Sequence, residues 1–120
     1  MRRERMKLSG IYKRWDIVVV HYPFIEGTEA KRRPALIVSG DMLFRNMGVY
    51  WAAMITTAKA GVKPDDIPIS DLRRANLPEA CVVRLTRLTT LGEMQIAYRR
   101  GSLASRDTNA VRALLAKYLV

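Results

Sequence analysis

Asp16-Ile-Val-Val-Val-His-Tyr-Pro-Phe24 and Lys31-Arg-Arg-Pro-Ala-Leu-Ile-Val-Ser39 are the two stretches from which the fold is read. Asp16 to Tyr22 is rich in β-branched residues. A short apolar run of that kind, stopped by proline, predicts a buried strand. Pro23 ends it, and a polar loop over 24–33 follows, with Gly27 and the basic triplet Lys31, Arg32 and Arg33. Pro34 to Ser39 predicts the second strand, since proline is tolerated at a first strand position. Gly40-Asp41 breaks it.

Working outward, Val49 to Ile55 is a third apolar run whose β-branched and aromatic content favours a strand, closed by Thr56 and Thr57. Ile67 to Ile69 is a short edge-like piece, and Asp71 to Ala75 makes one helical turn ahead of Pro78. Cys81 to Thr86 predicts a fourth strand and Gln95 to Tyr98 a fifth. The period then changes. Ser105 can cap a helix with apolar residues at Val111, Leu114, Leu115, Tyr118 and Leu119, one stripe at i, i+3, i+4, i+7 and i+8. Several short strands followed by one helix imply a mainly β fold, a small and strongly curved antiparallel sheet or barrel closed by the C-terminal helix. A length of 120 residues fits a single domain, read here as 13–120, preceded by a flexible basic arm over 1–12.

Charge is the abnormal feature. Lysine and arginine number 21 against 11 acidic residues, a formal net charge of +10. Such an excess attracts polyanions, nucleic acid first among them, although a basic surface also serves solubility and would attract an acidic protein. The single cysteine, Cys81, can form no internal disulfide, and with His21 as the one histidine it can build no cysteine-based zinc site. No cluster of Asp, Glu or His has ligand spacing, so neither a metal nor a cofactor is expected. No apolar run approaches membrane-spanning length, and no h-region follows the basic start. A cytoplasmic protein without membrane contact is expected.

The usual catalytic sets are missing: no glycine-rich phosphate loop, no H-E-x-x-H, no G-x-S-x-G. His21 lies inside an apolar run and reads as a bystander more readily than as a proton-transfer residue. What remains is arginines and hydroxyls at strand ends and loops. Such residues are often plain solvated charges, but they also suit cleavage of RNA, whose 2′-hydroxyl is its own nucleophile. The protein then has to orient that hydroxyl, stabilise the dianionic phosphorane and protonate the leaving 5′-oxygen. A guanidinium donates two parallel hydrogen bonds to phosphate and stays charged at any working pH.

These segments resemble the MazF/PemK-like toxins. The first two strands are similar to the family's G-D-I-V-x-V-x-F-P-F and K-R-R-P-A-L-V-x-S, and Ala53-Met-Ile-Thr-Thr57 to its strand ending in I-T-S. Asp66-Ile-Pro-Ile-Ser70, Ala75-Asn-Leu-Pro78 and Cys81-Val-Val-Arg84 resemble its D-I-P-L…A-G-L-x-x-P-S-V-V-R segment, and Gly101 to Ser105 with the helix after it its closing element. The resemblance runs from about Lys13 to the C-terminus. It implies an SH3-like compact barrel of the CcdB/PemK type with a C-terminal helix, usually a homodimer. The implied activity is metal-independent cleavage of single-stranded mRNA to 2′,3′-cyclic phosphate and 5′-hydroxyl ends, opposed by a small acidic antitoxin. Carried over to this sequence, Arg33 is the catalytic residue that stabilises the phosphate and donates the proton, and Thr56 is its partner on the scissile phosphate. Arg84, with Lys31, Arg32 and Thr57, is expected to bind RNA.

Three positions depart from the pattern. Trp15 replaces the glycine of R-G-D, which predicts a differently shaped approach to the first strand. Thr86 replaces an aspartate that some members use in proton transfer, and Thr28 sits near a histidine of at least one member, leaving His21 and Glu29 as substitutes. Two alternatives stay beside the nuclease: a non-hydrolytic, CcdB-like gyrase poison, and a barrel that binds nucleic acid without cutting it. The first depends on a presented C-terminus, whereas Leu114 to Val120 reads as packed.

Overall fold

Strands β1 (Asp16–Tyr22), β2 (Lys31–Ile37) and β3 (Val49–Thr57) form the middle of one antiparallel sheet whose two faces are both covered. Alternate residues of a strand point to opposite faces, and here each set enters a different core. Ile17, Leu36, Val38, Ala53 and Ile55 belong to one apolar cluster; Val18, Val20, Ala35, Ile37 and Ala52 belong to the other. This explains why the sequence shows unbroken apolar runs instead of an apolar and polar alternation. The computed structural model describes residues 11–22 and 31–119. The loop positions Gly27, Thr28 and Glu29, and residues 1–10 of the expected arm, lie outside the described residues. The arm's last two residues are anchored, with the Ile11 and Tyr12 N–H groups donating to the Tyr50 hydroxyl at 3.1 and 3.4 Å.

The ladder runs β4-β5-β3-β2-β1-β6, with β4 at Ile67–Pro68, β5 at Cys81–Gly92 and β6 at Ile96–Ser102. It is the expected mainly β architecture with a C-terminal helix, but the sheet stays open, since β4 and β6 do not pair. Helix α1 (Asp41–Met47) lies over the second cluster through Phe44, which stacks on Tyr50 with centroids 4.8 Å apart. The sequence reading placed only a break there. The helix is seven residues long with one buried position and no side-chain cap, so no periodicity announces it; Gly48, at φ 74°, closes it. Two strands are longer than predicted. β5 continues from Thr86 to Gly92, and β6 covers Ile96–Ser102 rather than stopping at Tyr98.

Helices α2 (Leu72–Ala75) and α3 (Ser105–Leu119) cover the first cluster. Asp71 caps α2, its carboxylate accepting from the Arg74 N–H at 3.0 Å. Val111 is fully buried and Leu114 and Leu115 pack beside it, as the helical stripe predicted. The stripe does not stay buried to its end. Tyr118 and Leu119 are 57% and 66% exposed, with the Tyr118 hydroxyl donating to the Asp65 carboxylate, so the end of α3 lies at the surface rather than in the core. The buried Asp107 ties α3 down by accepting from both the N–H and the hydroxyl of Ser70, at 2.8 and 2.9 Å.

Trp15 enters β1 in a backbone conformation usual for glycine. It adopts φ 78°, the left-handed region that glycine enters most cheaply. Its N–H donates to the Ile37 carbonyl at 2.8 Å, and its own carbonyl accepts from Leu103 at 3.0 Å. The indole lies within 5.8 and 5.2 Å of the Arg14 and Arg112 guanidiniums and packs on the first cluster.

Gly101 meets the tightest steric limit. A Cβ there would fall 2.5 Å from the Arg74 carbonyl oxygen and 2.6 Å from the carbonyl of Ala75, backbone atoms of α2 that cannot step aside. Gly101→Ala should therefore lower the free energy of unfolding by roughly 1–3 kcal/mol, the usual cost of overpacking. Urea titration reads this as a lower midpoint at unchanged slope. A parental midpoint would mean that α2 does not press on β6.

Candidate functional site

Arg33 stands where β2 begins, opposite Val20 of β1 and one residue before Pro34, which faces Val19. By strand alternation it shares a face with Ala35 and Ile37, but beyond the end of the core, so its side chain reaches solvent. Thr56 lies near the end of β3, on the same face as Met54 and Ala52. Arg84 is opposite Met54 on β5. These three side chains line one cavity of about 520 Å3, with Thr86, Arg87 and Thr89 along its β5 wall. The sequence-predicted pair Arg33 and Thr56 is thus brought together with Arg84. Lys31, Arg32 and Thr57 are not part of that lining; Arg32 and Thr57 alternate to the other face. No imidazole or carboxylate lines the cavity among the described residues, and His21 is on β1, outside it.

Arg84 is held, not loose. Its Nε and Nη2 donate to the two carboxylate oxygens of Asp66 at 3.1 and 2.8 Å, and Nη2 also donates to the Gly61 carbonyl at 2.9 Å. The Asp66 side chain is 2% exposed, and its Oδ2 accepts in addition from the Lys63 N–H at 2.7 Å. The Arg84 hydrogen bonds outweigh desolvation and hold the Asp66 carboxyl below its ordinary value, and the same contact raises Arg84. Only Nη1 of Arg84 has no partner among the described residues.

A larger apolar groove of about 840 Å3 adjoins this cavity, and Leu88 and Thr89 line both. Trp15, Leu43, Trp51 and Leu115 line it, together with Arg14 and Arg112. Ser39, Thr89 and Thr90 also line it, but neither Arg33 nor Thr56 does. Among the described residues no group of three His, Cys, Asp or Glu side chains comes close enough to hold a metal ion, and no helix is long and apolar enough to cross a membrane.

Sequence reasoning missed Asp66, Arg87 and Thr89. Asp66 had a signal, a carboxylate just before the edge strand Ile67–Pro68. Arg87 and Thr89 had none, because their place depends on the register of a longer β5.

The depressed carboxyl makes a pH prediction. A lowered folded-state pKa gives stability that is present above the unfolded value of 3.8 and is lost as pH falls through the folded value. Asp66→Asn should be less stable than the parent at neutral pH, and the gap should close on acidification below 3.8. Urea titrations of both proteins across that range test it; a gap independent of pH would show that the ionised carboxylate is not what stabilises.

The profile of the family described as PemK-like, MazF-like toxin of type II toxin–antitoxin system matches residues 13–119. No curated protein matches by sequence. Among solved structures, MazE–MazF from Deinococcus radiodurans superposes with a TM-score of 0.70 at 18% identity, covering 91% of this chain and 96% of that one. An endoribonuclease in complex with its cognate antitoxin, from a mycobacterial species, gives 0.66 at 22%, covering 92% and 94%. The Mycobacterium tuberculosis toxin MazF-mt6 gives 0.66 at 18%, covering 85% and 93%. At these identities the structures speak for a shared fold.

Proposed function

The chain belongs to the PemK-like, MazF-like toxins of type II toxin–antitoxin systems, and from that premise we propose that it is an endoribonuclease acting on single-stranded mRNA without a metal. The observation behind this reading is the convergence of Arg33, Thr56 and Arg84, from three different strands, on one cavity with no carboxylate in its described lining. A negative wall would repel the phosphate backbone; this wall attracts it.

In the proposed reaction the 2′-hydroxyl attacks the adjacent phosphorus and the bond to the 5′-oxygen breaks. The products are a 2′,3′-cyclic phosphate and a 5′-hydroxyl. Arg33 spans the non-bridging oxygens as charge builds on them and hands a proton to the leaving 5′-oxygen, recovering one from the attacking 2′-hydroxyl through the phosphate oxygens it holds, so the guanidinium ends the step charged as it began. Thr56 donates its hydroxyl hydrogen bond to the same phosphate. Arg84 offers Nη1 to the RNA, with its orientation set by Asp66. Lys31, Arg32 and Thr57 hold the strand outside the cavity. Thr86 lines the cavity where some relatives carry aspartate, so orientation and charge stabilisation, rather than a strong base, drive the step.

Arg33→Ala should reduce cleavage of single-stranded RNA in EDTA by roughly 3 kcal/mol of transition-state stabilisation, a factor on the order of a hundred, in a protein that melts like the parent. Arg33→Lys should recover little, because an ammonium cannot make the paired contact. Thr56→Ala should slow cleavage more than it weakens binding. Parental cutting by Arg33→Ala would refute the assignment. RNA bound but left intact by the parent would favour the binding module, and a blocked gyrase the CcdB-like reading, which the exposed Tyr118 and Leu119 keep open to test.

The same premise supports two partners. A carboxylate-rich antitoxin segment that folds on binding would occupy the basic cavity in competition with RNA, its encounter speeded by the +10 charge. A second copy of the chain would cover the apolar groove, where Trp51, Leu88 and Leu119 remain largely exposed. Light scattering should give a dimer at micromolar concentration and a monomer for Trp51→Glu, and expression without the neighbouring antitoxin gene should arrest growth. A parental monomer, or equal growth with and without the neighbour while folded protein is present, would contradict these assignments.

A further inference from the structure

The pairing of β3 with β5 is interrupted at one place. Met54 faces Arg84, but Ala53, its immediate neighbour, faces Leu88. Three residues of β5, Leu85, Thr86 and Arg87, are therefore extra and have no partner on β3. A bulge bends its strand and turns side chains away from the ladder, and such bulges concentrate beside functional sites. This one is pinned at both flanks. At its start Arg84 is clamped by Asp66 and Gly61, and Leu85 packs on the first apolar cluster. At its end Leu88 resumes the ladder. What the bulge turns outward is Thr86 and Arg87, both exposed and both on the wall of the cavity that holds Arg33 and Thr56.

The two arginines of β5 thus differ in electrical state. Arg84 is paired with a carboxylate, so the pair is close to neutral and offers one directed donor. Arg87 has no ion pair and no hydrogen bond among the described residues. We propose that Arg87, delivered by the bulge, is the residue of this wall that neutralises a backbone phosphate of the bound RNA, while Arg84 fixes the bulge and contributes direction rather than net charge. The proposal rests on the reading of the cavity as an RNA site. It assigns a binding residue that lies outside the family motif segments.

The test separates the two. Binding of a labelled single strand of mixed sequence carrying 2′-fluoro groups throughout, which has no nucleophile and stays intact, is measured across a salt series. Arg87→Gln should weaken binding and flatten the slope of log affinity against log salt by about 0.7, one phosphate contact on a single strand. Arg87→Lys should restore the slope. Arg73→Gln, on α2 and outside the cavity, should leave affinity and slope at parental values. An unchanged slope in Arg87→Gln, or an equal change in Arg73→Gln, would overturn the proposal while leaving the RNA reading intact. Failure of the parent protein to bind the strand would overturn both. A parent that binds this strand but does not cut the ribose strand in EDTA would refute the nuclease alone, with the slopes still deciding on Arg87.

Discussion

Double-sided burial of the three central strands is the constraint from which the rest follows. Ile17 and Val18, Leu36 and Ile37, and Ala52 and Ala53 are neighbours in sequence, yet members of each pair enter different cores. A slip of one residue would exchange the contents of the two cores, sending residues sized for one into the other, so register is specified from both sides at once. That rigidity reaches the strand ends. Arg33 and Thr56 stand just beyond the last buried residues of β2 and β3, and their separation is inherited from a ladder that cannot shift. Catalytic geometry on phosphate tolerates little displacement, which makes a doubly packed sheet a suitable base for it.

The acidic residues explain how a net charge of +10 becomes local. Several of the 11 acids are committed to structure. Asp16 accepts from the Lys13 N–H and from Arg99 Nε, at 2.8 and 2.9 Å, and closes the start of β1. Asp66 orients Arg84, and Asp107 binds α3 to Ser70. Each is largely shielded and spends its negative charge on a donor within reach. The cations around the cavity mouth, Arg33 and Arg87, are exposed. An overall excess of charge is a weak statement about function; an excess that leaves Arg33 and Arg87 exposed on one cavity, while Asp66 beside it is buried against Arg84, is a stronger one.

The shared wall at Leu88 and Thr89 joins the polar cavity to the apolar groove. Whatever covers the groove will sit against the same short piece of β5 that lines the cavity. The cavity and the groove thus share residues that follow directly on the bulge.

The strand runs at Asp16–Tyr22 and Val49–Ile55 and the stripe in α3 were legible because burial had to be encoded as apolar residues, unbroken where both faces are covered and at a period of 3.6 in the helix, and that code is local. Arg33 and Thr56 were named from the sequence because they belong to contiguous motifs of the family. Helix α1, with one buried side chain, left no such pattern. Neither did the exposed Tyr118 and Leu119, whose spacing continues the stripe although no core extends that far. Trp15 in the left-handed region could not be foreseen, since its conformation is held by partners at Ile37 and Leu103. The bulge is the clearest case. Leu85 and Thr86 read as the ordinary end of a strand and Arg87 falls beyond it, and only pairing with β3 reveals that all three are supernumerary. The sequence by itself determined which residues would be buried and which chemistry was on offer, because transfer of side chains from water is a property of each residue. Only the tertiary structure decided which arginine of the cavity wall is paired with a carboxylate and which stands exposed, because that choice depends on distances between segments far apart in the chain.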